Sequence, residues 1–287
     1  MDKTEAKQKL TNIMEKFLAL ASRRLPDDVY EKLKELREKE DTPMQKVIYD
    51  AYFENLEEAE KLGRPSCQDT GQLHYYIKVG TAFPYLDIIE ESLKEATQKA
   101  TMSVPLRQNT VNYFDEKNTG DNTGERIPWI NWDMVSGGDE LEIIVYFAGG
   151  GCCLPGKAQV FKPSDGYGAI VNYVFDAVAD LGINACPPLI VGVGLGQNVE
   201  NAAVLSKKAY LRPLGTHHPH PKGAQLEKEL LEGLNQLGIG AQGMRGENAA
   251  MAVHIESSGR HPATLAVGVN VACYAHRRGV IRFGKDM

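Results

Sequence analysis

The sequence lacks the features that would direct a protein to membranes or nucleic acids. It has no apolar run near the roughly 18 residues that a bilayer-spanning helix needs. Its net charge of −6 and the absence of any basic block argue against a nucleic-acid backbone as the main partner. The N-terminal segment is charged and amphipathic, without the apolar core or cleavage site of a secretory signal. We therefore predict a cytoplasmic protein with neither a membrane nor a nucleic acid as its partner.

Cysteine is scarce, and its spacing does not match a structural zinc site. The five cysteines are Cys67, Cys152, Cys153, Cys186 and Cys273, and they form no CxxC pair. In a reducing compartment the default interpretation of each is a small buried side chain. Cys67, Cys186 and Cys273 instead lie at predicted element boundaries, beside polar or rigid residues. A metal cluster held by these three is the alternative.

The surroundings of two cysteines favour that alternative without establishing it. Cys186 lies in N-A-C-P-P, where two prolines restrict the backbone and offer no amide protons. Cys273 lies in C-Y-A-H-R-R, with three potential cations close behind it. Positive charge near a thiol favours the thiolate, which is the form that binds metal. Ligands this far apart in sequence leave no regular motif, so both interpretations stay open here.

Glycine-rich and histidine-rich segments offer weaker candidates for binding sites. The segment G-G-G-C-C-L-P-G (149–156) allows a close backbone approach or amide donation to an anion, and equally a strained loop with positive φ angles. The segment G-V-G-L-G-Q-N-V-E (192–200) lacks the third glycine of a dinucleotide fingerprint. Tight strand–helix packing is the favoured interpretation, ahead of a helix N-terminus that faces a bound anion. The T-H-H-P-H segment (216–220) is typical of a solvated loop. Arg260 could bind a carboxylate or close a turn.

The hydrophobic pattern predicts a mixed α/β fold in a single domain covering residues 1–287, with residues 1–62 mainly helical. One helix is predicted to begin at Thr42-Pro43 and to end at Gly63. The segment 109–127 is polar and is predicted to be a loop. Further helices are predicted over 85–102, 167–181, 198–208 and 222–237. Strands are predicted over 73–80, 142–147, 189–193, 252–256, 264–270 and 280–283.

Four segments together resemble one family across almost the whole chain. In order they read S-C-Q-D-T-G, A-G-G-G-C-C-L-P-G, N-A-C-P-P-L-I-V-G-V-G and C-Y-A-H-R-R-G. They resemble the α subunit of the iron–sulfur-dependent hydro-lyases, which include tartrate dehydratases and class I fumarases. Around Cys152 the chain is more similar to the tartrate dehydratases. The resemblance implies the N-terminal-type domain of this family: a helical N-terminal part packed on a mixed sheet with flanking helices.

The resemblance also implies a set of site residues. The cluster ligands of a 4Fe-4S centre would be Cys67, Cys186 and Cys273, with Cys152 and Cys153 near the site but not ligands.

The substrate would be bound by residues beside those ligands. Gln68 and Asp69 would face it as catalytic residues, Arg107 would clamp a carboxylate, and Gly150 would offer its backbone amide.

The reaction that the resemblance implies is the dehydration of L(+)-tartrate to oxaloacetate, with the open iron acting as a Lewis acid on the substrate hydroxyl. Within the family, the alternative is interconversion of malate and fumarate. A non-catalytic iron–sulfur redox sensor is an alternative from a different class. The sequence ends at Met287 without the segment that supplies the proposed base in single-chain members. We therefore expect a separate β subunit, in an α2β2 assembly.

Overall fold

The computed structural model describes residues 2–287, which form two compact units, each with a hydrophobic core. The first unit contains the residues up to Pro26, together with Asn55–Ala148 and Arg277–Met287. The second unit contains Asp27–Glu54 and Gly149–His276.

Helices and strands are interspersed along the chain, as predicted for a mixed α/β fold. The helices are α1 (Lys3–Arg23), α2 (Asp27–Lys39), α3 (Pro43–Leu62), α4 (Ile89–Ser103), α5 (Gly150–Cys153), α6 (Gly166–Leu181), α7 (Val199–Leu211) and α8 (Pro221–Asn235). The strands are β1 (Gln72–Gly80), β2 (Trp129–Val135), β3 (Leu141–Ala148), β4 (Lys157–Phe161), β5 (Leu189–Gly196), β6 (Ala250–Ser257), β7 (Leu265–Ala272) and β8 (Arg278–Phe283). None of the helices in residues 2–287 combines the length and apolarity required to cross a membrane.

The first unit is built on a mixed sheet with the strand order β2-β1-β3-β8. Strand β1 pairs in parallel with β2 and antiparallel with β3, which in turn pairs antiparallel with β8. Every second residue of β1 from Leu73 and of β3 from Leu141 is buried in the core, as expected when one face of a sheet packs on it. Helices α1 and α4 supply the other side of this core through apolar residues spaced three or four apart, such as Leu10, Met14 and Leu18.

The second unit contains another mixed sheet, with the strand order β4-β7-β5-β6. Strand β5 lies inside this sheet, parallel to β6 and antiparallel to β7. Val191 and Val193 of β5 share a core with apolar residues of α6 and α8. Gly192 and Gly194 alternate with these valines and therefore lie on the opposite face of the strand.

The glycines of β5 allow helix α7 to pack at backbone distance from the sheet. A Cβ atom at Gly192 would lie 2.0 Å from the carbonyl oxygen of Ser206, and one at Gly194 would lie 2.0 Å from that of Ala202. No side chain fits in this space. The prediction that the G-V-G-L-G segment provides tight strand–helix packing is confirmed.

Most predicted elements are confirmed, and the two strands that the sequence did not indicate are both at sheet edges. The segment 109–127 contains only isolated bridges, as expected of a loop. Strand β2 is mostly exposed, and β4 is half-exposed. Because each lies at the edge of its sheet, neither carries the run of buried residues that marks an interior strand.

Replacing Gly194 by alanine should destabilise the second unit. The new methyl group would overlap the backbone of α7, so we expect a loss of about 2 kcal/mol or more in the free energy of unfolding. Gly168→Ala is the matched control, because a Cβ at Gly168 in α6 meets nothing within 4 Å. The control should change the stability by less than about 1 kcal/mol, towards greater stability. Equal denaturation midpoints for the two variants would contradict this packing.

Candidate functional site

The segment that carries Cys67, Gln68 and Asp69 is a turn directly before β1 in the first unit. Asp69 shapes this turn, because its Oδ1 accepts hydrogen bonds from the backbone N–H of Gly71 and from Nδ2 of Asn109, each at 3.0 Å. Aspartate commonly stabilises turns by bonding to the backbone two residues ahead. Cys67 and Asp69 are half-buried, and Gln68 is exposed. The turn therefore presents these side chains from a backbone that the Asp69 carboxylate helps to hold.

Thr70 connects this turn to the segment of Arg107. Its Oγ1 accepts a hydrogen bond from the Arg107 backbone N–H at 3.0 Å and lies 3.5 Å from the Arg107 carbonyl oxygen, to which the hydroxyl donates. Thr70 is buried, whereas Arg107 is exposed. The structure thus brings the predicted residues Asp69 and Arg107 to the same part of the first unit.

Two asparagines that the sequence analysis did not single out support the same region. Asn122 is buried with a positive φ of 59°, a conformation that asparagine tolerates better than most residues. Its Oδ1 accepts from the Asn109 N–H at 2.7 Å, and its Nδ2 donates to the Arg107 carbonyl oxygen at 2.9 Å. The polar composition of 109–127 was a usable signal, since asparagine side chains often replace regular secondary structure as hydrogen-bonding partners.

In the second unit, Cys186 and Cys273 lie on adjacent backbone segments. The Tyr274 N–H donates a hydrogen bond to the Cys186 carbonyl oxygen at 3.2 Å. The strands next to the cysteines are also paired, with Ile190 of β5 opposite Ala272 of β7. Both cysteines are half-buried, and neither forms a disulfide.

The glycine-rich segment passes very close to the segment that precedes Cys186. A Cβ atom at Gly151 would lie 2.1 Å from the carbonyl oxygen of Asn184. Gly149 has a φ of −67°, and Gly150 and Gly151 also lie outside the positive-φ region. Close backbone approach, and not positive-φ strain, therefore explains Gly151. Gly150 is exposed at this turn.

Two tyrosines hold the segment around Cys186 and Cys273. Tyr52 of α3 donates from its hydroxyl to the Pro187 carbonyl oxygen at 2.8 Å, and its ring stacks on Tyr274 with centroids 3.7 Å apart. Burial raises the pKa of Tyr52 well above its usual value, so the hydroxyl remains a donor. Helix α3 was predicted from the sequence, but its contact with the Cys186 segment was not.

The histidine-rich segment and Arg260 have structural roles. His220 Nδ1 accepts a hydrogen bond from Lys222 N–H at 3.2 Å and thereby caps α8, and the His218 N–H donates to Glu227. Arg260 Nη1 donates to three nearby carbonyl oxygens, those of His261, Pro262 and Thr264. Of the two interpretations of Arg260, turn closure accounts for its contacts.

The donor chemistry fits the iron–sulfur cluster that the family resemblance implies. None of the five cysteines forms a disulfide, and Cys67, Cys186 and Cys273 are each partly exposed. Thiolates are the ligands that iron–sulfur clusters use. Among residues 2–287, no three His, Cys, Asp or Glu side chains are arranged as ligands of one metal ion. This finding does not conflict with a cluster, because each cysteine of such a centre binds a different iron.

The predicted site residues are divided between the two units. Cys67, Gln68, Asp69 and Arg107 belong to the first unit, whereas Gly150, Cys186 and Cys273 belong to the second.

Comparison with known proteins identifies the class to which this fold and these motifs belong. The model of the fumarate hydratase (Fumerase) family matches residues 11–282, which is nearly the whole chain. The chain belongs to this family and is a hydro-lyase.

Within this family, the chain is similar to proteins that are named as tartrate dehydratase subunits. The L(+)-tartrate dehydratase subunit alpha of an Escherichia coli strain is 52% identical over 286 residues, which cover 100% of this chain and 94% of that protein. The subunit of the same name from Shigella sonnei is 51% identical over the same length, with the same coverage.

Replacing Thr70 by valine should loosen the Arg107 segment. The variant leaves the Arg107 N–H without its acceptor, so we expect a loss of about 1–2 kcal/mol in the free energy of unfolding. Amide exchange at Arg107 should also be faster. Thr81→Val is the matched control, since Thr81 Oγ1 accepts from the Gly137 N–H at 2.9 Å in an exposed turn. Water can replace that bond, so the control should lose less than about 0.5 kcal/mol. Unchanged exchange at Arg107 in the Thr70 variant would contradict the role of Thr70.

Proposed function

We propose that this chain is the α subunit of a tartrate dehydratase, which removes water from L(+)-tartrate to give oxaloacetate. The observation that supports the proposal is the Tyr274–Cys186 hydrogen bond, because it joins the backbone segments of two of the three proposed cluster ligands. Full-length identity of 52% to a subunit of that name supports the substrate. The proposed cofactor is a 4Fe-4S cluster held by Cys67, Cys186 and Cys273.

The reaction breaks one C–O bond and one C–H bond of the substrate. Loss of water from tartrate leaves an enol, which tautomerises to oxaloacetate. When bound, a cluster with one iron free of cysteine supplies a Lewis acid for the departing hydroxyl. The chain must therefore bind a dianion, orient its hydroxyl and exclude competing water.

The residues of this chain that would do so are those of the Cys67–Thr70 turn and its neighbours. The planar guanidinium of Arg107 suits a carboxylate, since it can donate two parallel hydrogen bonds. Gln68 is exposed and has both a donor and an acceptor for a substrate hydroxyl or carboxylate. The Asp69 carboxylate is oriented by Gly71 and Asn109, so it can accept a hydrogen bond from the substrate in a fixed geometry. Gly150 would donate its backbone N–H.

The proton on carbon requires a base, which we propose lies on a separate β subunit in an α2β2 assembly. The relatives are themselves named as alpha subunits, which supports a partner chain. Thiols that remain reduced also suit a cytoplasmic location, which we propose for the assembly.

A class I fumarase α subunit is the second candidate, because the matching family model is that of fumarate hydratase. The same residues would then bind malate and release fumarate. The two functions differ in the second substrate hydroxyl, so the relative rates with the two diacids separate them.

The decisive experiment compares L-tartrate with L-malate as substrates of the anaerobically assembled α–β complex. We expect turnover of L-tartrate on the order of 1–1000 per second. The ratio of kcat/KM for tartrate to that for malate should exceed about ten, as expected when a polar group of the substrate has a dedicated partner. A ratio that favours malate would support the fumarase alternative, and no turnover of either diacid would contradict both.

Changing Arg107 to lysine in the same complex should lower kcat/KM for L-tartrate by about tenfold or more, because lysine keeps the charge but loses the bidentate geometry. Arg282→Lys is the matched control. Arg282 is an exposed arginine of the same unit that pairs with Glu142 at 2.6 Å. The control should retain the activity of the parent. Equal activity of the two variants would show that Arg107 does not bind the substrate.

A further inference from the structure

Arg277 is a fully buried cation in the first unit. It is only 2% exposed and is the largest of the fully buried side chains among residues 2–287. It lies directly before β8, and its guanidinium carbon is 5.7 Å from the centre of the Phe147 ring. Arginine is rarely buried to this extent unless it is paired with an anion or a set of acceptors.

The hydrogen bonding of Arg277 is incomplete. Nη2 donates to the main-chain carbonyl oxygen of Asp69 at 2.8 Å, while Nε and Nη1 have no hydrogen-bond partner. No salt bridge within residues 2–287 involves Arg277. A buried guanidinium with unused donors and no counter-charge is unfavourable, because one hydrogen bond and the contact with Phe147 compensate its desolvation only in part.

The acceptor that Arg277 does use belongs to the candidate site. The Asp69 carbonyl lies in the turn that presents Cys67 and Gln68, and the Asp69 carboxylate accepts from Gly71 and Asn109. The turn has little freedom to move away, since a Cβ at Gly71 would lie 2.8 Å from the backbone of Ala148. The incompletely compensated charge is therefore held beside the turn that carries a proposed cluster ligand.

We propose that Arg277 is the cationic partner of an anion bound beside the Cys67–Asp69 turn, and that it positions this turn through the Asp69 carbonyl. The proposal rests on the function proposed above. Two anions of that function share the required chemistry: the cluster, whose thiolate ligands make it negative, and a substrate carboxylate. In the apo protein the buried charge of Arg277 lowers the stability, because no anion is bound beside it. In the loaded protein the same charge attracts the bound anion.

The charge of Arg277 is expected to be unfavourable in the apo protein and favourable in the loaded protein. This difference distinguishes the proposed role from a purely structural one. Arg277→Gln removes the charge, whereas Arg277→Lys keeps the charge but lacks the planar guanidinium group. Arg282→Gln is the control for the loss of an exposed arginine. The apo Gln variant should melt within about 3 °C of the apo parent or above it, since the lost contacts are offset by removal of a buried charge. After anaerobic loading with iron and sulfide, the Gln variant should lose iron to a chelator at least about tenfold faster than the parent. The Lys variant should fall between them, and the control should match the parent.

The second arm identifies which anion is involved. L-tartrate and inorganic phosphate are each titrated against the apo parent and the apo Gln variant, with melting temperature as the readout. If tartrate raises the melting temperature of the parent but not that of the Gln variant, the anion is the substrate carboxylate. Faster iron loss without any such rise would identify the cluster.

The outcomes that overturn the inference are distinct from those that overturn the proposed function. Parent-like iron retention by the Gln variant, with no anion effect, would reject the role of Arg277 and leave the cluster intact. A large drop in the apo melting temperature would show that Arg277 is a structural clamp, and would also reject the proposal. If the parent takes up no iron and sulfide, the proposed function fails. The anion titration then tests the role of Arg277 by itself. If neither anion changes the melting temperature of the parent, that role is rejected.

Discussion

The antiparallel pairing of β5 with β7 determines where two of the three proposed ligands lie. Cys186 precedes β5 and Cys273 follows β7, so pairing of the two strands brings both cysteines to the same end of the sheet. The pairing is accompanied by the close approach of α7, which leaves room only for hydrogen at Gly194 and at Gly268 of β7. The Tyr274–Cys186 hydrogen bond and the stacked tyrosines then stabilise the irregular backbone beyond the strands. Regular strand pairing thus positions residues that themselves have no regular structure.

In the first unit, irregular backbone segments are stabilised by side-chain hydrogen bonds. The turn before β1 and the segment of Arg107 have few backbone partners, and Asp69, Thr70, Asn109 and Asn122 supply the missing donors and acceptors. Such polar networks are rigid only when their members are satisfied. Arg277 is a charged exception with two unpaired nitrogens, and such a buried group calls for an explanation, which a bound anion would supply.

Much of this organisation could be predicted from the sequence, and the remainder could not for identifiable reasons. Interior elements such as β3 and α6 were predicted because burial imposes a clear period on their residues. Edge strand β2 was missed because it is mostly exposed. The G-V-G-L-G segment was interpreted correctly, since a missing glycine excluded the dinucleotide pattern. The roles of Asn122, Tyr52 and Arg277 depend on partners between 13 and 208 positions away, and no local pattern reveals such contacts. The roles of Gln68, Arg107 and Gly150 towards a substrate stay predictions.

The central claim is that Cys67, Cys186 and Cys273 together hold one cluster, and the content of iron and acid-labile sulfide per chain tests it most directly. The parent and five single Cys→Ala variants would be purified and reconstituted without oxygen. We expect roughly four irons and four sulfides in the parent, with both lost when any of these three cysteines is changed. The variants of Cys152 and Cys153 should keep the parental content. Iron that is absent from the parent, or that is indifferent to the three changes, would contradict the account.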